Sequence, residues 1–225
     1  VGSEMCIRDR IDTAGIRRKK KVDETIEKFS VVKALQAIDL ADSVIVIIDA
    51  LEGITDQDLS LIGLVINSGR AFCIALNKYD LLDDEQKEYL DRQIKRRLKF
   101  ASFIETVEIS ALKSMQLEKT IDTAIESAKS SMQDVPTSKI STLIEKLTET
   151  TPPPNVQGRR IKLKYIVQSN TRPPTIKIFT SHNGIVSKSY KRYLENSFRE
   201  DFGLLGTPIR IIFKSGDNPF TSSKH

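Results

Sequence analysis

The run Ser43-Val44-Ile45-Val46-Ile47-Ile48-Asp49 is β-branched and apolar on both of its alternating faces. A short strand of that composition is at home where both sides are covered, so it reads as a buried central strand of a parallel sheet. Residues 71–76 (Ala-Phe-Cys-Ile-Ala-Leu) and, more weakly, 106–109 (Thr-Val-Glu-Ile) read the same way. Helical periodicity separates them. Ile26, Phe29, Val32, Leu35 and Ile38 recur every three to four residues, as do Leu59, Ile62 and Ile66 before Gly69, a good C-cap, and then Leu117, Ile121, Ala124 and Ala128. Alternation of this kind from residue 11 to about 134 predicts βαβ units in a doubly wound α/β sheet, with ligands bound outside the carboxyl ends of the strands.

A second, smaller domain is expected over residues 135–220. Ile140, Leu143, Ile144 and Leu147 mark a helix that Pro152-Pro153-Pro154 must end, since proline lacks an N–H and disfavours helix in the residue before it. A loop with Gly158-Arg159-Arg160 leads to two half-exposed strands, 161–167 and 175–179, joined by a turn at Arg172-Pro173-Pro174. Tyr190, Leu194 and Phe198 give a helical face, and 208–213 a last strand. The order helix, strand, strand, helix, strand predicts a compact α+β layer. Residues 1–10 look unrelated to the apolar strand that should lead into Ile11 and are set aside as an artefactual lead, and 221–225 read as a frayed tail.

Charge divides the chain as the patterning does. Residues 138–225 hold 15 Lys+Arg against 6 Asp+Glu, a net of +9, whereas residues 1–137 hold 20 against 24, a net of −4. An asymmetry of domain size points to a polyanion as the partner of the second half, nucleic acid above all, against the plainer reading of a charged surface that keeps the chain soluble. The longest aliphatic stretch, from Val44 to Ile48, is far short of the roughly 20 residues of a membrane span. Two cysteines, Cys6 and Cys73, support neither a disulfide framework nor a zinc cluster, and a reducing cytoplasm is the expected location.

Three short motifs stand where predicted strands end. The first is Asp12-Thr13-Ala14-Gly15. An aspartate here can hold Mg²⁺ through water, and the N–H of Gly15 can approach a γ-phosphate unobstructed, although DxxG alone is a common turn string. The second is Asn77-Lys78-Tyr79-Asp80. The Asp80 carboxylate can accept hydrogen bonds from N1 and N2 of guanine, a donor pair adenine lacks; Lys78 can lay its stem along the base, and Asn77 can tie neighbouring loops together. The third is Ser110-Ala111, whose backbone N–H groups can reach guanine O6. Asp49 fits a structural turn better than a ligand role, and Lys113 reads equally as a flank to the base or as a solvated side chain.

Together with Ile16-Arg17 and the basic run to Lys21, with Glu27-Lys28-Phe29-Ser30 and with Gly53-Ile54-Thr55-Asp56-Gln57-Asp58, these motifs resemble the second GTPase domain of Der-type (EngA-type) tandem GTPases. Pro152-Pro153-Pro154, Gly158-Arg159-Arg160, residues 190–196, Gly206-Thr207-Pro208 and residues 215–220 resemble that family's terminal KH-like domain. The resemblance implies a truncated P-loop-GTPase-type sheet (11–134) followed by a KH-like domain, a further GTPase domain upstream in the intact protein, GTP with Mg²⁺ and K⁺ as cofactors, and a role in assembly of the large ribosomal subunit with ribosomal RNA as partner.

Two departures qualify it. No GxxxxGK[ST] occurs in these residues, so the backbone cradle for the α- and β-phosphates and its lysine are not encoded here, and the chain alone is expected to be catalytically incompetent. Ile16 stands where many GTPases carry a water-orienting glutamine. In the second domain, Gly203-Leu204-Leu205-Gly206 matches a GxxG clamp but precedes a strand, and is expected to be a C-cap and a core contact. Arg159, Arg160, Lys162, Lys164, Lys191 and Arg192 are better candidates for RNA phosphate contact, with Arg172, Lys188 and Arg199 behind them, while Tyr190 and Tyr193 suit a core better than a stacking role. The rival reading is a non-catalytic RNA- or ribosome-docking module scaffolded by a remnant GTPase domain.

Overall fold

Alternating helices and strands do assemble around a parallel sheet. In this computed structural model, residues 9–12, 24–153, 155–156, 159–181 and 186–215 are described. The first unit runs α1 (Glu24–Leu40), β1 (Ser43–Asp49), α2 (Asp56–Ser68), β2 (Ala71–Asn77), α3 (Asp84–Arg97), β3 (Thr106–Glu108) and α4 (Leu117–Ser131). The strands are parallel in the order β1-β2-β3, with Asp49 level with Asn77. Local chemistry sets the helix ends. Thr55 and Asp58 form a reciprocal capping box at the start of α2, Asp83 and Gln86 do the same for α3, and Gly69 closes α2 in the left-handed conformation (φ 79) with its N–H on Ile66 O.

Ile62, Val65, Phe72, Ile74 and Ile48 are sealed from solvent in the main core on one face of the sheet. On the other face α4 covers β2: Leu117 packs against Ala75, and the Cys73 thiol lies 3.9 Å from Thr120 O. Among the described strands the central one is therefore β2, not β1. Among the described residues β1 has one neighbour, and the side chains of Ile45 and Ile47, level with Cys73 and Ala75, are 38% and 63% exposed. Composition told correctly of a strand but not of what lies over its second face. Val32, expected on the buried stripe of α1, is also exposed, and Ala34 and Ile38 take the buried positions.

The second unit comprises α5 (Thr137–Thr150), a two-residue pairing of β4 (Asn155–Val156) with β5 (Arg159–Arg160), β6 (Leu163–Thr171), β7 (Pro174–Thr180), α6 (Lys188–Phe202) and β8 (Arg210–Ser215). Arg159 and Arg160, expected in a loop, thus sit in a short hairpin. β6 and β7 are antiparallel and β7 and β8 parallel, a mixed sheet with α5 and α6 over one face. Ile140, Leu143, Ile144, Ile166, Ile178, Tyr190, Leu194, Phe198 and Ile211 make its core.

Gly203 ends α6 with φ 61, Leu204 is buried in the core and Leu205 is half exposed. Gly206 joins the units: its N–H donates to Phe103 O (3.0 Å) and its carbonyl accepts from Phe72 N–H (2.8 Å), while the buried Thr207 hydroxyl donates to Ser127 O (3.1 Å). The GxxG string is a cap and a clasp between domains. Arg172 adds an ion pair to Asp42 at 2.6 Å.

Candidate functional site

The carboxyl ends of β1, β2 and β3 bring together Asp49, Asn77-Lys78-Tyr79-Asp80 and Ser110-Ala111. β2 is anchored on both sides there, because Ala50 N–H donates to Asn77 O (2.8 Å) and Ile109 N–H to Leu76 O (2.9 Å). The chain then turns sharply at Lys78, a non-glycine residue with φ 65, into one turn of 3₁₀ helix over Tyr79–Leu81. That turn is pinned by Tyr79 N–H on Ile109 O at 3.1 Å. A left-handed residue costs backbone energy, which fits a position whose task is to aim its neighbours.

Asn77 Oδ1 accepts the Ala111 N–H at 3.0 Å and so ties the β2 loop to the β3 loop. Of the two N–H groups expected to reach guanine O6, that of Ala111 is thereby engaged by Asn77 and that of Ser110 donates to Met115 O at 3.3 Å. Lys78 Nζ lies 2.6 Å from Asp49 Oδ2, while Asp49 Oδ1 accepts the Leu51 N–H at 3.0 Å; one carboxylate closes its own turn and steadies the lysine. Asp80 Oδ2 meets Lys113 Nζ at 2.9 Å, with the Asp80 side chain only 11% exposed and that of Lys113 62%. Hydrogen bonds from Lys113 first, then from Ser110, hold the Asp80 carboxyl below the usual carboxylate range. The anionic, hydrogen-bond-accepting form of Asp80 is thereby favoured, paired with a largely exposed lysine.

The Asp80–Lys113 and Asp49–Lys78 pairs were not derivable from the motifs taken one at a time. For Asp49 a signal existed: a parallel pairing of β1 with β2 places the last residues of both strands side by side.

Asp12 is exposed and makes no hydrogen bond or ion pair to another described residue. Gly15 lies outside the described residues. Asp12 makes no such contact with Asn77 or Asp80. Among the described residues no cluster of three His, Cys, Asp or Glu could hold a metal ion. Asn77, Asp80 and Ser110-Ala111 are brought together at one end of the sheet. Burial pushes the Cys73 thiol up to about 12, which removes it as a nucleophile. No described helix is long and apolar enough to cross a membrane.

Of the basic candidates, Lys162 and Lys164 are exposed beside and within β6, and Lys191 and Arg192 lie on α6, with Lys191 Nζ 4.0 Å from Glu195. Arg159 and Arg160 belong to β5. Tyr190 is buried, donates its hydroxyl to Thr151 O (3.2 Å) and packs 5.8 Å from the ring of Tyr193.

The elongation factor Tu GTP-binding domain family matches residues 27–153, and the KH-domain-like family of the C-terminal part of EngA bacterial GTPases matches 135–214. GTPase Der of Psychrobacter arcticus is 42% identical over 94% of this chain and 45% of its own length, and that of Legionella pneumophila (strain Lens) 45% identical over 96% and 46%. The chain thus spans about half the length of the curated relatives it matches. Among solved structures, Aquifex aeolicus Era bound to GDP and aluminium fluoride aligns at a TM-score of 0.44 and 20% identity, over 91% of this chain and 74% of that one, a likeness too distant to bear on function. With a GTP-binding-domain family matched over more than half its length and the EngA KH-like domain beside it, the chain belongs to the Der (EngA-type) family of GTP-binding proteins.

Proposed function

We propose that this chain supplies the guanine-reading half of a GTP site together with an RNA-docking domain, and that the protein it represents acts in assembly of the large ribosomal subunit in the bacterial cytoplasm. The observation that carries the reading is Asp80, an ionised carboxylate at the mouth of loops already locked by the Asn77–Ala111 bond. Guanine N1–H and N2–H₂ would take the place of the Lys113 ammonium on that carboxylate. Lys78, held by Asp49, would line one side of the base. Bound nucleotide would supply the phosphate oxygens that hold Mg²⁺ beside Asp12, and K⁺ would add further charge compensation. The RNA part rests on the +9 balance of residues 138–225 and on Arg159, Arg160, Lys162, Lys164, Lys191 and Arg192.

Because the cradle for the phosphates is not encoded in these residues, binding should be weak and base-selective, and GTP should be hydrolysed no faster than in buffer. Titration with fluorescent guanine and xanthine nucleotides, alongside phosphate release, tests this. Asp80→Asn should exchange guanine preference for xanthine, since the amide donates where xanthine offers a carbonyl. An unchanged preference removes Asp80 from the site, and the absence of any base-selective binding leaves the second reading, an RNA-docking module on an inert scaffold. That alternative draws on the same missing phosphate cradle.

A further inference from the structure

The two units enclose a cavity of about 300 Å³ between them, walled by Lys99, Phe100 and Phe103 of the first and by Arg192, Glu195, Arg199 and Arg210 of the second. Four cations face one carboxylate there. The Arg199 guanidinium lies 4.1 Å from the centre of the Phe103 ring and donates from Nη1 to Asn196 Oδ1 at 3.1 Å, while its Nε is buried without a hydrogen-bond partner. Arg210 Nη2 donates to Asn67 O at 2.7 Å, a bond across the domain boundary that fixes this guanidinium at the cavity wall. Lys99 and Arg192 are exposed, and no ion pair among the described residues engages either.

Burial pushes Arg199 down and Glu195 up from their ordinary values, so both charges are poorly solvated. Stacked, preorganised guanidinium groups with donors to spare match the tetrahedral oxygens of a phosphate better than any neutral ligand. Carboxylates of an acidic peptide offer similar charge, but two features favour nucleic acid: the surplus of cations over the whole second domain, and Phe100, 42% exposed at the wall and able to stack on a base.

We propose that this interdomain cleft binds a backbone phosphodiester of RNA, gripped by Lys99, Arg192, Arg199 and Arg210 with the neighbouring base against Phe100. The assignment rests on the reading that the second domain docks on RNA, and it makes the first domain part of that contact. Binding would also staple the two units together.

The test is fluorescence anisotropy of the full chain with a labelled RNA hairpin bearing a single-stranded loop, titrated at several salt concentrations. Lys99→Ala with Arg192→Ala should weaken binding by about tenfold and flatten the log–log salt slope by roughly 1 to 2, two exposed side chains whose loss leaves the melting temperature in place. Glu195→Gln, which removes the opposing carboxylate, should tighten binding severalfold. Inorganic phosphate and pyrophosphate should compete only weakly. Wild-type affinity and slope in the double variant would overturn the cleft while leaving RNA binding by the second domain standing; no RNA binding by the unaltered chain would instead overturn that broader reading. Two further results count against the proposal: phosphate binding that is lost in the variants while RNA binding is unchanged, which marks a free-anion site, and competition by polyglutamate as strong as that by RNA.

Discussion

Asp80, the residue proposed to read guanine, is held as a carboxylate by its neighbours. A carboxylate 11% exposed needs a partner, and Lys113 supplies one from a flexible, largely solvated stem. Because the folded pKa of Asp80 lies below its ordinary value, the stabilisation it brings is fully present above the unfolded carboxylate pKa and is lost as pH falls through the folded one. The same fall in pH would remove the acceptor proposed for guanine. Lys113→Met takes away the first cause of the depression and leaves the Ser110 hydrogen bond, so the titration of Asp80 followed by carboxyl ¹³C NMR should move up toward the ordinary range without returning to it. An unmoved titration would mean that Lys113 is only a solvated neighbour. The motif announced Asp80 because Asn-Lys-x-Asp is contiguous in sequence; Lys113, separated from it by most of two elements, could be weighed beforehand only as flank or bystander.

At the scale of elements, two glycines in one short segment should respond differently to the same change. Gly203 and Gly206 both have positive φ, 61 and 58, where an L side chain is strained. A Cβ on Gly203 meets nothing within 4 Å, whereas one on Gly206 would stand 2.2 Å from Ser127 Oγ and 2.7 Å from the Phe72 carbonyl oxygen, both of the first unit. Gly203→Ala should cost about 1 kcal/mol from backbone strain alone, and Gly206→Ala roughly 2–4 kcal/mol from strain plus overpacking. Chemical denaturation of the two variants measures the difference, and equal losses would sink the idea of a tight clasp at Gly206. Sequence reading found the C-cap, since Gly203 follows an amphipathic helix, and rejected the GxxG clamp for want of a second helix. It could not find the clasp, because nothing local to Gly206 says that Phe72 and Ser127 will lie against it. The strands and most helices were legible for the converse reason: period and caps are local. Ile45 and Ile47 mark the limit, since a two-sided apolar strand carries no record of which face its neighbours will leave open.

The whole molecule joins an acidic α/β unit to a basic α+β unit through backbone hydrogen bonds at Gly206, the Thr207 hydroxyl and the Arg172–Asp42 pair. With −4 on one side and +9 on the other, an approaching polyanion is drawn to residues 138–225 and repelled by the rest, so charge orients the encounter before any contact forms. Arg159 and Arg160 of the β4–β5 hairpin with Lys162 and Lys164 beside and within β6, together the hairpin group, are separate in sequence from the cleft residues Lys99, Arg192, Arg199 and Arg210, which allows the two groups to be dissected. Each phosphate neutralised contributes about −0.9 to the slope of log K against log salt on duplex DNA and about −0.7 on single strands. If all four hairpin residues touch phosphates, replacing them with alanine should flatten the slope by about 3, and combining that change with Lys99→Ala and Arg192→Ala should add the two reductions, as expected for distant and independent contacts. Exposed charges such as Lys162 contribute little to stability, so the melting temperature should hold. Salt titrations of RNA binding on the four proteins make the comparison. A hairpin variant with the unaltered slope would show these four residues to be a solvated face and would leave the interdomain cleft as the principal electrostatic contact, while reductions that fail to add would mean that both groups address the same stretch of backbone.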